Sequence, residues 1–126
     1  MEMKQIKVNS ERAVKVQVGK EFDSEQDLIG MVELDIETQS KFLTFINQVI
    51  EGGMFNIMLD MANISYIDSS GLWALFEGHK KATQNSGHMV LLNPNPDVRR
   101  VLDITKISTK MSISDDEEAA IQLMIT

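Results

Sequence analysis

Apolar positions along this chain recur with two different spacings, and the places where the spacing changes divide it into elements. Val14, Val16 and Val18 alternate with Lys15 and Gln17, the two-residue period of a strand with one buried face. Ala13–Val18 is therefore predicted as a strand, preceded by a shorter one at Ile6–Val8, with Gly19-Lys20 as a turn. A further strand lies within Gln26–Leu34, its start blurred by Gly30. Phe42, Phe45, Ile46 and Val49 then fall at helical spacing, so Ser40–Ile50 is predicted as a helix stopped by Gly52-Gly53. The apolar run Phe55–Asp60 reads as a strand, followed by a short connection with the apolar pair Tyr66–Ile67. Leu72, Leu75, Phe76 and position 79 mark a helix over residues 70–85 that ends near Gly87, and a strand follows at 88–92. Asn93-Pro94-Asn95-Pro96 forces a loop, because a residue before proline is pushed out of the α region. Asp97 is the expected cap of a helix reaching about Ile104, and Met111–Ile113 is a short strand. Ser114-Asp115-Asp116-Glu117 has the form of a capping box for a last helix.

Strands alternating with helices of this length indicate βαβ units and a mostly parallel sheet. Right-handed crossovers place the start of the 70–85 helix at the carboxyl edge of the 55–60 strand, where open α/β sheets carry their functional sites.

Composition narrows the classes. A chain of 126 residues, 43% hydrophobic and 25% charged, suits one globular domain spanning 1–126, with residues 1–11 an extra N-terminal strand or a flexible segment. Without cysteine there is no disulfide, thiol nucleophile or thiolate metal site. No apolar run approaches the roughly 18 residues of a membrane span. Met1-Glu2-Met3-Lys4-Gln5 lacks a signal-peptide core, so a cytoplasmic location is expected. A net charge of −7, with basic residues scattered apart from Lys80-Lys81 and Arg99-Arg100, argues against nucleic-acid binding.

The candidate chemistry gathers at Asp68-Ser69-Ser70-Gly71. Free backbone N–H groups and the positive end of the helix dipole favour added negative charge there. A serine at such a place is either a helix cap or an addressable phosphoacceptor. Asp68 either orients the hydroxyl, presents charge to a partner, or caps the helix. Gly71 either permits a close backbone approach or is merely tolerated in the first turn. Trp73, the only tryptophan, lies just off the apolar face and is either exposed or partly buried, whereas Leu72 and Leu75 suit the core. His79 and His88 lack any metal-ligand spacing, so neither a metal nor another cofactor is expected. The nucleophile elbow G-x-S-x-G is also absent, Ile67 standing where its first glycine belongs, so an enzyme is not expected.

Three stretches together carry a family likeness: Ile64-Ser65-Tyr66-Ile67-Asp68-Ser69-Ser70-Gly71-Leu72, Gly87-His88-Met89-Val90-Leu91-Leu92-Asn93-Pro94, and Val98-Arg99-Arg100-Val101-Leu102-Asp103-Ile104-Thr105. Over roughly residues 12–124 the chain resembles the STAS family, specifically bacterial anti-sigma-factor antagonists. The resemblance implies a small sheet of four to five strands with about four helices mainly on one side. It implies Ser69 as the phosphorylated residue, with Ser70 as second choice, and Asp68, Ser69, Ser70, Gly71, Leu72 and Trp73 as partner surface. It further implies a protein that is monomeric when free. Unphosphorylated, such a protein binds an anti-sigma factor that is also a serine kinase, releasing the sigma factor, and a PP2C-type phosphatase restores it after phosphorylation. The other role within the family is a non-switching STAS subunit of a lipid-transport ATPase or signalling scaffold. Val32-Glu33-Leu34-Asp35 departs from the family's G-E-[LI]-D turn by lacking the glycine, with Gly30 two residues earlier, and Met61-Ala62-Asn63 is a plain version of the following loop.

Overall fold

In the computed structural model, residues 1–9 and 12–125 are described. The strands are β1 (Glu2–Val8), β2 (Ala13–Gly19), β3 (Glu21–Phe22), β4 (Leu28–Ile29), β5 (Val32–Leu34), β6 (Asn56–Asp60), β7 (Ile64–Ile67), β8 (His88–Leu92) and β9 (Ser112–Ser114). The helices are α1 (Gln39–Glu51), α2 (Ser69–Gln84), α3 (Pro96–Ile104) and α4 (Glu117–Ile125), with a single 3-10 turn at Ile107–Thr109. Five strands form the main sheet in the order β1-β2-β6-β8-β9. Only β1 is antiparallel, with Gln5 opposite Val16; β2, β6, β8 and β9 run parallel.

Strand alternation divides the core in two. Ile57 and Leu59 of β6, with Met89 and Leu91 of β8, face α1 (Phe42, Ile46, Val49), α2 (Ala74, Leu75) and α3 (Val98, Leu102). Met58, Val90 and Leu92 face the other way, onto Ala120 and Met124 of α4. The central strands are thus covered on both faces, which is why they read as continuous apolar runs instead of alternating ones. At β2 the second face is only partly covered, and Lys15 reaches Glu117 of α4 at 3.3 Å. The expected arrangement holds: a five-stranded, mostly parallel sheet with three helices on one side and one on the other.

The structure corrects several local expectations. The segment containing Tyr66–Ile67 is a strand, β7, lying parallel to β5 with Leu34 opposite Ile67 and a register shift between Val32 and Glu33. Gln26–Leu34 holds two short strands, β4 and β5, separated by Gly30 at φ +87° and directed to different partners. Helix α3 is capped by Asn95, whose Oδ1 accepts from the Val98 N–H at 2.8 Å; Asp97 sits inside the first turn, behind Pro96. Proline leads the helix because its missing N–H is not needed there. The Ser114 capping box is not formed: Asp116 accepts from the N–H groups of Glu118 and Ala119, and the Ser114 hydroxyl bonds only to the Asp116 backbone. Of residues 1–11, Glu2–Val8 form the N-terminal strand, while residues 10 and 11, like 126, lie outside the described residues.

Candidate functional site

The sharp entry into α2 begins with extended backbone at Asp68 (φ −109°, ψ −172°), after which the chain is helical from Ser69 onward. Asp68 is therefore the cap: its Oδ1 accepts from the Gly71 N–H at 3.0 Å, and its carbonyl accepts from Leu72 at 2.9 Å. The capping role considered for Ser69 falls instead to its neighbour, because Ser69 already occupies the first helical position. Its side chain is exposed, and its hydroxyl has no hydrogen-bond partner among the described residues, whereas Ser70 is half-buried.

Gly71 is buried, and only glycine fits there. A Cβ at this position would sit 2.1 Å from the Leu34 carbonyl oxygen and 2.8 Å from Cγ1 of Ile67. This close approach presses the helix start onto β5 and β7, an arrangement reinforced where the Asp68 N–H donates to the Leu34 carbonyl at 3.3 Å. Leu72 is partly buried against the core and Leu75 fully so, leaving Trp73 to project outward with 53% of its surface exposed.

Two exposed apolar residues outside the expected partner surface flank this site, Tyr66 two residues before Asp68 and Ile36 two residues after Leu34, whose carbonyl meets the helix start. Ile36, 68% exposed, rides on the turn after β5, and Tyr66, 52% exposed, lies on β7 opposite Glu33. The turn is pinned by Asp35 Oδ1, which accepts from the Glu37 and Thr38 N–H groups, and by the Thr38 hydroxyl, which donates to the Glu33 carbonyl at 2.8 Å. No periodicity could find these residues; their common signal is a large apolar side chain in a segment too short to bury it. Met61-Ala62-Asn63 also does more than its plain sequence suggests. Met61 is fully buried, the Asn63 side chain donates to the Val18 carbonyl at 3.0 Å, and the Asn63 carbonyl accepts from Val32 at 2.8 Å, tying β5 to the main sheet.

The histidines belong elsewhere. His79 is half-buried beside Phe76 (ring centroids 6.0 Å apart), with Nδ1 unpartnered among the described residues. Burial lowers its pKa below the ordinary value, and the charge of His88 lowers it further. His88 itself is exposed, with Nδ1 3.3 Å from the Asn56 side-chain oxygen. Among the described residues no group of His, Asp or Glu is placed to hold a metal, and no helix is long and apolar enough to cross a membrane.

A mostly parallel sheet covered by helices on both faces defines the class, an α/β domain, and an exposed serine stands at the start of α2. Residues 31–120 match the STAS domain model, and the chain belongs to that family. It is 31% identical over 90 residues to the anti-sigma F factor antagonist of Paenibacillus polymyxa, covering 71% of this chain and 77% of that one. It is 31% identical over 87 residues to the anti-sigma-B factor antagonist of Staphylococcus epidermidis, covering 68% and 80%. These relatives are regulatory binding proteins and not enzymes. Among solved structures, a Thermotoga maritima protein superposes with a TM-score of 0.77 at 22% identity, covering 98% of this chain and 95% of that one. SpoIIAA in its unphosphorylated form gives 0.65 at 21% identity, covering 96% of each chain. The Bacillus SpoIIAA in its phosphorylated form gives 0.64 at 20% identity, covering 97% and 99%. These likenesses establish the fold.

Proposed function

We propose that this chain, acting throughout its length as one STAS domain, is an anti-sigma-factor antagonist switched off by phosphorylation of Ser69. The observation that carries the reading is a division of labour at the helix start. Asp68 caps α2, so the exposed Ser69 hydroxyl is left without a structural task and open to a kinase. A phosphate there adds about −1.5 to −2 charge beside Asp68. The helix dipole offsets part of the repulsion, by about 0.3–1 kcal/mol at an exposed site, so the fold tolerates the modification. A closely packed interface does not, because it would have to strip water from a phosphate next to a carboxylate.

The unphosphorylated protein would bind an anti-sigma factor that is also an ATP-dependent serine kinase, freeing the sigma factor. The kinase would end the complex by modifying Ser69, and a PP2C-type phosphatase would reset it. This cycle belongs in the cytoplasm, with the free protein a monomer. The docking surface comprises Asp68, Ser69, Ser70 and Trp73, extended by Ile36 and Tyr66; Gly71 and Leu72 support it from beneath. Incubation with the cognate kinase and ATP, followed by mass spectrometry, tests the reading. Phosphate at Ser69 is expected, with Ser70 as the secondary site, and no phosphate at either serine would refute it.

A further inference from the structure

We infer that the open edge of β9 is a second docking surface, which takes an extended acidic segment of a partner protein as an added strand. This surface is separate from the start of α2 and does not rest on the phosphorylation switch. The Asn93 N–H donates to the Ser114 carbonyl at 2.9 Å, so Ser114 turns its backbone groups toward β8. Alternation along a parallel ladder then directs the Ile113 N–H and C=O away from the sheet, where β9 has no neighbouring strand among the described residues. Beside them runs a groove of about 380 Å³, lined by Arg99, Ser108, Lys110, Ser112, Ile113 and Leu123 among others. Its walls come from both faces of the sheet, α3 supplying Arg99 and α4 supplying Leu123, whose side chain is 47% exposed. An extended segment lying along β9 would therefore have a wall for each of its two alternating sets of side chains.

Charge selects the occupant. The groove is lined by two cations and no carboxylate, on a chain whose net charge is −7. Lys110 has no carboxylate partner among the described residues; its Nζ lies 5.9 Å from the Phe76 ring centroid. Arg99 has only a long contact of 3.5 Å to Asp103, one turn along its own helix. Because β9 has three residues, its outward backbone groups supply few hydrogen bonds, so recognition leans on the two cations and is sensitive to salt.

The test is an amide-shift NMR titration of the full chain with the synthetic peptide acetyl-Glu-Val-Glu-Val-Asp-amide, set against a lysine-for-acid version of the same peptide. Saturable shifts at Ile113, Ser112 and Lys110 are expected with the acidic peptide alone. Binding should weaken about tenfold or more in Arg99→Glu/Lys110→Glu, and should weaken as salt rises. Arg99→Gln/Lys110→Gln, a milder pair at the same exposed positions, should weaken it in the same direction. Equal response to both peptides, full displacement by millimolar inorganic phosphate, or shifts confined to the start of α2 would each overturn the inference. None of these outcomes bears on whether Ser69 is phosphorylated.

Discussion

Asp68 and Ser69 are adjacent in sequence, but the backbone turn between them gives them different fates: the carboxylate is engaged by the helix and the hydroxyl is not. Ser69→Ala should therefore alter stability by no more than about 0.5 kcal/mol, as for an exposed side chain without partners. Asp68→Ala should cost about 0.5–2 kcal/mol through the lost cap. Ser69→Asp should also fold, since acid suits a helix start, yet bind the kinase partner at least about tenfold more weakly than Ser69→Ala, or about 1.4 kcal/mol. Titration calorimetry with thermal melts as the folding control decides the matter, and equal affinities would mean that charge at this position controls nothing. Two residues on, the usual expectation reverses. Gly→Ala inside a helix ordinarily gains up to about 1 kcal/mol. At Gly71 the new methyl would meet the Leu34 carbonyl at 2.1 Å, so Gly71→Ala should instead destabilise by about 1–3 kcal/mol in urea melts.

Among elements, legibility in the sequence follows the length of the hydrophobic pattern. Helices α1 and α2 and strand β2 carry enough periodic positions to be read directly, and β6 and β8 are legible as continuous apolar runs. Strands β3 and β4, with two residues each, carry no period, and the middle residues of β7, Ser65 and Tyr66, are both exposed. The caps are displaced for a related reason: the regions around α3 and α4 offer several competent capping side chains, and only the turn geometry chooses Asn95 over Asp97 and Asp116 over Ser114. Asp68–Gly71 is visible as a candidate site from its place at a helix start, and its extension to Trp73 from the family resemblance; Tyr66 is near it in sequence, but Ile36 joins it only through the pairing of β5 with β7, which is non-local. Asn95 is the residue that fastens α3 to this ribbon, since its Nδ2 also donates to the Ile64 carbonyl at 3.0 Å. Asn95→Ala should thus cost about 1–2 kcal/mol, the cap plus a cross-element bond, while Asn95→Asp should keep the cap and lose only the second. Urea melts of the pair separate the two contributions.

For the molecule as a whole, His79 links stability to pH. Its folded pKa is lowered, so the unfolded chain binds the proton more readily and stability falls as pH drops below about 6.5, the ordinary histidine value. His79→Gln should lessen the loss of melting temperature between pH 7 and pH 5.5 relative to the unchanged protein; an identical slope in both would assign the acid sensitivity to other groups. The unequal covering of the sheet has a consequence in time. Among the described helices, α4 alone closes the face formed by Ala13, Met58, Val90 and Leu92, through Ala120, Ile121 and Met124. All five strands of the main sheet and the other three helices precede Glu117 along the chain, so during synthesis they emerge from the ribosome before α4 does. A nearly finished domain therefore shows a dry-seeking surface to the cell until its last turns emerge, and in that interval chaperones have their clearest view of it.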